Sequence, residues 1–252
     1  MAESCNFTIY SVLFVTKAYL RYFLDLLSHF SKREQLIDPC SRFKLLVILK
    51  AATHRQMSII ICPGIHDPAF TQSFISGWLD TYNGSIAPNT ANILIYPGQD
   101  FSSLSALHIL QFLRVSVAHR RYRLTDSLKS PIIFISFSAG VVGAIGAAHL
   151  WQLLGGHVKA FIAIDGWGVP LQGNFPIHRM SHDYFTHWSS CLLGCGQNNF
   201  YAEPAVDHLS IWRSPQIVQG CWVDSSFEIS PPKGRLTATE FLLMLLKRYE
   251  AN

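Results

Sequence analysis

A chain of 252 residues that is 49% hydrophobic and only 14% charged can bury one sizeable core and is too apolar to stay disordered. Its net charge of +4 is spread thinly. The single basic cluster, His119-Arg120-Arg121-Tyr122-Arg123, reads as the solvated end of a helix, so no nucleic-acid partner is expected.

Six cysteines occur and none forms a CxxC pair. Cys191 and Cys195 stand four apart, on one face if the segment is helical. Structural zinc and a disulfide framework are both disfavoured, and a reducing cytoplasm is the expected setting. Neither a metal nor a cofactor is expected. Phe7 to Phe30 is apolar and aromatic but is interrupted by Lys17, Arg21 and Asp25, and its longest clean stretch is too short to span a bilayer. The opening Met-Ala-Glu-Ser-Cys lacks the basic side chain of a secretory signal. Residues 1–50 are therefore read as a helical extension packing on the body, with peripheral membrane contact as the alternative. Residues 51–252 form the main domain.

From residue 57 onward, short apolar runs alternate with helix-like segments. Met57 to Cys62 is a predicted strand ending at Pro63-Gly64, and Ala69 to Tyr82 a helix ending at Asn83-Gly84. Asn92 to Tyr96 is the next strand, again followed by Pro-Gly. Ser103 to Leu124 has helical apolar spacing. Pro131 to Ser136 is a strand, Ala139 to Leu154 a helix closed by Gly155-Gly156, and Val158 to Ile164 a fourth strand. Beyond residue 165 the pattern loosens. Asn199 to Ala202 reads as a last short strand, part of Leu209 to Trp222 as a helix, and Thr237 with Glu240 as a capping box ahead of a terminal helix over Phe241 to Tyr249.

The strands are continuous apolar runs, the signature of a parallel sheet covered on both faces. Sites in such sheets lie beyond the carboxyl ends of the strands. One such end carries Ser136-Phe137-Ser138-Ala139-Gly140, between a buried strand and a helix rich in Gly and Ala. A tight turn there would expose Ser138 above the sheet, with the Ala139 N–H and the positive end of the helix facing the same space. The small residues Ser136 and Gly140 leave room for it.

These residues resemble the nucleophile turn of the α/β-hydrolase family, G-x-S-x-G, with serine in place of the first glycine. The resemblance spans residues 57 to about 222 and implies an α/β-hydrolase-like three-layer sandwich, a mostly parallel central sheet with helices on both faces. It implies a serine hydrolase that cleaves an ester or thioester through an acyl-enzyme on Ser138. The oxyanion would be held by the N–H groups of Ala139 and, from the loop after the first strand, Ile65. The base would be a late histidine, from among His178, His182, His187 and His208. His208 lies where the family places it, between the last expected strand and a helix. For the acid, Asp165 ends an apolar strand and needs a partner; Asp183, Glu203 and Asp207 are its rivals. Residues 171–196, with Phe175, Tyr184, Phe185 and Trp188, sit where the family often inserts a cap, and an apolar lining there would suit a hydrophobic ester. A different class of function is a catalytically inactive relative that binds a ligand or partner. A metal site built from His178, His182 and His187 is disfavoured, because spacings of four and five do not match a zinc-binding helix.

Overall fold

The computed structural model describes residues 57–82, 92–98, 100–118, 130–224 and 234–250. The chain divides into residues 1–54 and residues 55–252, and everything described belongs to the second unit. The expected N-terminal extension and its membrane contact lie outside the described residues, as does the basic cluster at 119–123. Among the described residues, no helix is long and apolar enough to cross a membrane.

Four isoleucine-rich segments assemble first in the logic of the fold, because each is apolar on both faces and must be covered twice. They are β1 (Ser58–Cys62), β2 (Asn92–Ile95), β3 (Ile132–Phe137) and β4 (Val158–Ile164). β5 (Ile177–Ser181), β6 (Asn198–Ala202), β7 (Gln219–Asp224) and β8 (Gly234–Thr237) extend the sheet to eight strands in the order β2-β1-β3-β4-β5-β6-β7-β8. Pairing is parallel from β2 through β6 and antiparallel for the last two pairs.

Strand alternation sends successive side chains to opposite layers. Ile59, Ile61, Ile133, Ile135 and Ile162 pack in one core with Phe74 and Trp78 of α1 (Pro68–Tyr82), Trp212 of α5 (Ser210–Arg213) and Phe241 of α6 (Ala238–Glu250). Ile60, Phe134 and Phe161 pack in the other core with α2 (Ala106–Ala118) and α3 (Ala139–Leu153). The helices thus cover both faces of a mostly parallel sheet, as the sequence predicts. The chain reverses direction across the sheet after β2, so the crevice beyond β1 and β3 is the switch point where sites form in such folds.

Three expectations are revised. Residues 171–196 contribute β5 to the sheet and then α4 (Tyr184–Cys191), rather than standing outside the sheet as a cap. β5 escapes an apolar-run reading because its middle is His178-Arg179, both buried. The helix expected in Leu209–Trp222 is only the four-residue α5, and Gln219–Asp224 is strand β7. The strand over 199–202 is not the last, since β7 and β8 follow it. The capping box is present: the Glu240 Oε2 accepts from the Thr237 N–H at 2.7 Å, and the Thr237 Oγ1 accepts from the Glu240 N–H at 3.1 Å.

The small residues of α3 have a steric purpose. A Cβ on Gly143 would lie 2.3 Å from the Ser103 carbonyl oxygen, and one on Gly140 would lie 2.4 Å from the carbonyl oxygens of both Cys62 and Pro63. Helix propensity alone would make Gly143→Ala stabilising by about 1 kcal/mol. The collision with fixed backbone costs about 1–3 kcal/mol and should win. Urea unfolding of Gly143→Ala is expected to show a net loss of stability; a gain would mean that α3 does not pack this closely.

Candidate active site

β3 ends at Phe137, and the chain turns into α3 through Ser138, whose φ is 51° and ψ −122°. A serine at a helix start usually caps it with its own hydroxyl. Here the side chain makes no capping bond, and the hydroxyl lies 3.0 Å from the His208 Nε2. The Ser138 N–H donates to the Ile164 carbonyl at 2.9 Å, which ties the turn to β4. Ser136 carries no positive φ, and its buried hydroxyl donates to the Ile162 carbonyl at 3.3 Å.

β4 ends one residue before Asp165, which also has a φ of 51°. Ser138 and Asp165 are the two non-glycine residues with positive φ among the described residues. Each such conformation costs on the order of 1–3 kcal/mol and characteristically marks a functional site. The Asp165 Oδ2 accepts from the His208 Nδ1 at 2.9 Å and from the His182 Nδ1 at 2.8 Å, while its Oδ1 accepts from the His182 backbone N–H at 2.8 Å. Ser138, His208 and Asp165, the three residues selected from the sequence, therefore form one hydrogen-bonded line.

A column of rings holds His208. Its imidazole stacks on Phe137 with centroids 4.8 Å apart, Phe137 stacks on Trp212 at 4.9 Å, and Trp212 stacks on Phe74 at 3.8 Å. The ring nearest the serine is thus the outer end of a ladder rooted in the core.

The rivals have other partners. His178 is fully buried in β5, 2.7 Å from the Tyr249 hydroxyl, and burial pushes its pKa down to about 4. His187 stacks on Tyr201, and burial lowers it likewise to about 4. Asp183 starts α4 by accepting from the Thr186 N–H, Asp207 accepts from the N–H groups of Leu209 and Ser210, and Glu203 pairs with Arg235 at 3.3 Å. His178, His182 and His187 do not converge. Among the described residues, the group whose ligand atoms do converge, within 4.8 Å, is Asp165, His182 and His208. Its atoms already satisfy one another as donors and acceptors, and the remaining His208 nitrogen faces Ser138.

The groups open on a cavity of about 620 Å³ whose wall includes Ala139, Val142, Trp167, Val169, Phe185 and Thr186. Trp167 donates from its indole to the Ser189 Oγ at 3.0 Å and so bridges the loop after β4 to α4. Ala139 is the first residue of α3, where N–H groups lack an intrahelical acceptor. Gly64 abuts the turn at Ser138, since a Cβ there would lie 3.0 Å from the Ser138 Cβ. Ile65 follows it, half exposed and outside the cavity wall. No family model matches the chain, and no curated protein matches it either.

The sequence offered His182 only as a substitute for His208, whereas the structure puts both rings on one carboxylate. The hydrogen bond to Asp165 holds the His182 pKa above its ordinary 6.5. Its Nε2 lies 3.5 Å from the Asp183 Oδ2, so a proton on that nitrogen also faces a carboxylate. A pKa raised in the folded state means a stabilisation fully present below the unfolded value and lost as pH rises through the folded one. The melting-temperature advantage of wild type over His182→Gln should therefore shrink as pH climbs above about 6.5. A difference independent of pH would show that His182 gains no proton affinity on folding.

Proposed function

We propose that this chain is a serine hydrolase that cleaves an ester or thioester through an acyl-enzyme on Ser138. The observation that carries the reading is the unbroken line Ser138 Oγ, His208 Nε2, His208 Nδ1, Asp165 Oδ2, with separations of 3.0 and 2.9 Å. His208 accepts the hydroxyl proton as Ser138 attacks the carbonyl carbon, and Asp165 stabilises the resulting imidazolium. The oxyanion is held by the N–H of Ala139, which stands at the start of α3 and lines the cavity beside Ser138. The intermediate then collapses as His208 returns the proton to the leaving alcohol or thiol. Water, deprotonated by the same imidazole, releases the acyl group and restores the serine.

His182 keeps a positioning role, because its backbone N–H and ring together fix both oxygens of Asp165. The apolar wall formed by Val142, Trp167, Val169 and Phe185 favours a hydrophobic acyl group.

Ser138→Ala is expected to abolish turnover of a short activated ester. Asp165→Asn keeps the shape but loses the charge and favours the wrong imidazole tautomer, so turnover should fall about 10⁴-fold. Circular dichroism should find both variants folded. Wild-type turnover in folded Ser138→Ala would remove Ser138 as the nucleophile, whereas a wild-type chain that turns over no ester would leave a binding protein as the better reading.

A further inference from the structure

Behind the cavity wall, Arg179 presents a different problem. It is 2% exposed in the middle of β5. Its guanidinium donates to the carbonyl oxygens of Gly194 at 2.7 Å, Val169 at 3.0 Å, and Gly166 and Leu193 at 3.4 Å. These are neutral acceptors, and among the described residues no carboxylate pairs with it. A buried cation without an anion is costly. Burial lowers the Arg179 pKa, and the nearby sulfurs of Cys191 and Cys195 act in the opposite direction.

Those thiols are brought together by the fold. Cys191 ends α4, and Gly194, at a φ of 112°, swings the chain back so that the two Sγ atoms lie 2.8 Å apart. A side chain at Gly194 would also strike the Leu171 carbonyl at 2.2 Å, so the turn has little freedom. Cys191 is buried and Cys195 half-buried, with the Asn199 Nδ2 3.5 Å from the Cys195 sulfur.

From this geometry we infer that Cys191 and Cys195 form a redox-active dithiol, oxidised to a disulfide by hydroperoxides, with Cys195 the attacking and Cys191 the resolving sulfur. The asymmetry follows from the surroundings. Cys195 is the more exposed sulfur, and its contact with Cys191, the Asn199 amide and the Arg179 guanidinium together lower its pKa. The contact between the two sulfurs and burial push the Cys191 thiol up. A lowered pKa favours the thiolate, which is the form that attacks.

The Cys195 thiolate attacks the terminal peroxide oxygen. The O–O bond breaks, and the alkoxide leaves as an alcohol, or as water from hydrogen peroxide, after taking a proton from solvent. Cys195 is left as a sulfenic acid. The Cys191 sulfur then attacks the Cys195 sulfur. The S–S bond forms, the S–O bond breaks, and hydroxide departs with the Cys191 proton as water. Two thiols and one peroxide give one disulfide, one alcohol and one water. A dithiol reductant reverses the change by exchange.

The test reads sulfur chemistry, so it stands apart from the proposed hydrolysis. The full chain is treated with one equivalent of hydrogen peroxide, unfolded, alkylated and digested with trypsin. Residues 180–213 contain no lysine or arginine before Arg213, so both thiols fall in one peptide. The expected result is that this peptide loses two hydrogens and takes no alkyl group, while the buried Cys62 and Cys221 are alkylated. In Cys191→Ser, oxidation should stop at a Cys195 sulfenic acid that dimedone captures; in Cys195→Ser, Cys191 should stay fully alkylatable. Two alkyl groups on the treated wild-type peptide would overturn the proposal. So would oxidation of Cys191 at the wild-type rate in Cys195→Ser, or linkage of either thiol to a cysteine elsewhere.

Discussion

A carboxylate at the end of a strand as apolar as Val158–Ile164 is costly unless every lone pair it turns inward is met by a donor. The Asp165 side chain is 1% exposed, and three donors meet it: the His182 N–H, the His182 ring and the His208 ring. The rest of the site follows from that requirement. Two imidazoles must lie beyond the sheet, so the chain after β5 and the chain after β6 must both return to the end of β4. With one His208 nitrogen committed to the carboxylate, the other faces Ser138 across the neighbouring strand end. Removing Asp165 would take from both rings the acceptor they share, whereas removing either ring would leave a buried charge short of donors.

The sheet supplies the rigidity that this arrangement needs. Ser138 and Asp165 sit on adjacent strands, β3 and β4, whose pairing runs to Phe137 and Ile164. Both have positive φ, a conformation held only where the surroundings over-determine the backbone. At Ser138 the constraint is visible on one side as the close approach of Gly64, and on the other as the contact of Gly140 with the loop after β1. The ring ladder from Phe74 through Trp212 and Phe137 fixes the third member, so an imidazole on a short loop inherits the order of the core.

What could be read from the sequence divides along the chemistry of the strands. β1 to β4 are apolar on both faces, so their composition announces them, and with them come the switch point, Ser138 and Asp165. β5 and β6 are as deeply buried but carry His178-Arg179 and Asn198-Asn199, whose polar groups are satisfied by Tyr249, loop carbonyls and one another. Tertiary hydrogen bonds of that kind leave no periodic trace, so β5 looked like part of a cap. His208 was legible from its order after the serine and the acid. His182 was legible as a candidate but not as a second ring on the same carboxylate, because that sharing depends on β5 lying next to β4. The approach of Cys195 to Cys191 was only half legible: the spacing suggested one helix face, but α4 ends at Cys191 and the return is made by the Gly194 turn.

The central claim is that Ser138 is made nucleophilic by the groups behind it, and covalent labelling examines this most directly. A fluorophosphonate reacts with an activated serine without requiring the natural substrate. Mass spectrometry of the labelled chain should find one adduct, on Ser138, formed rapidly in wild type and far more slowly in His208→Ala. An unlabelled wild-type chain, an adduct on another serine, or equal labelling with and without His208 would contradict it.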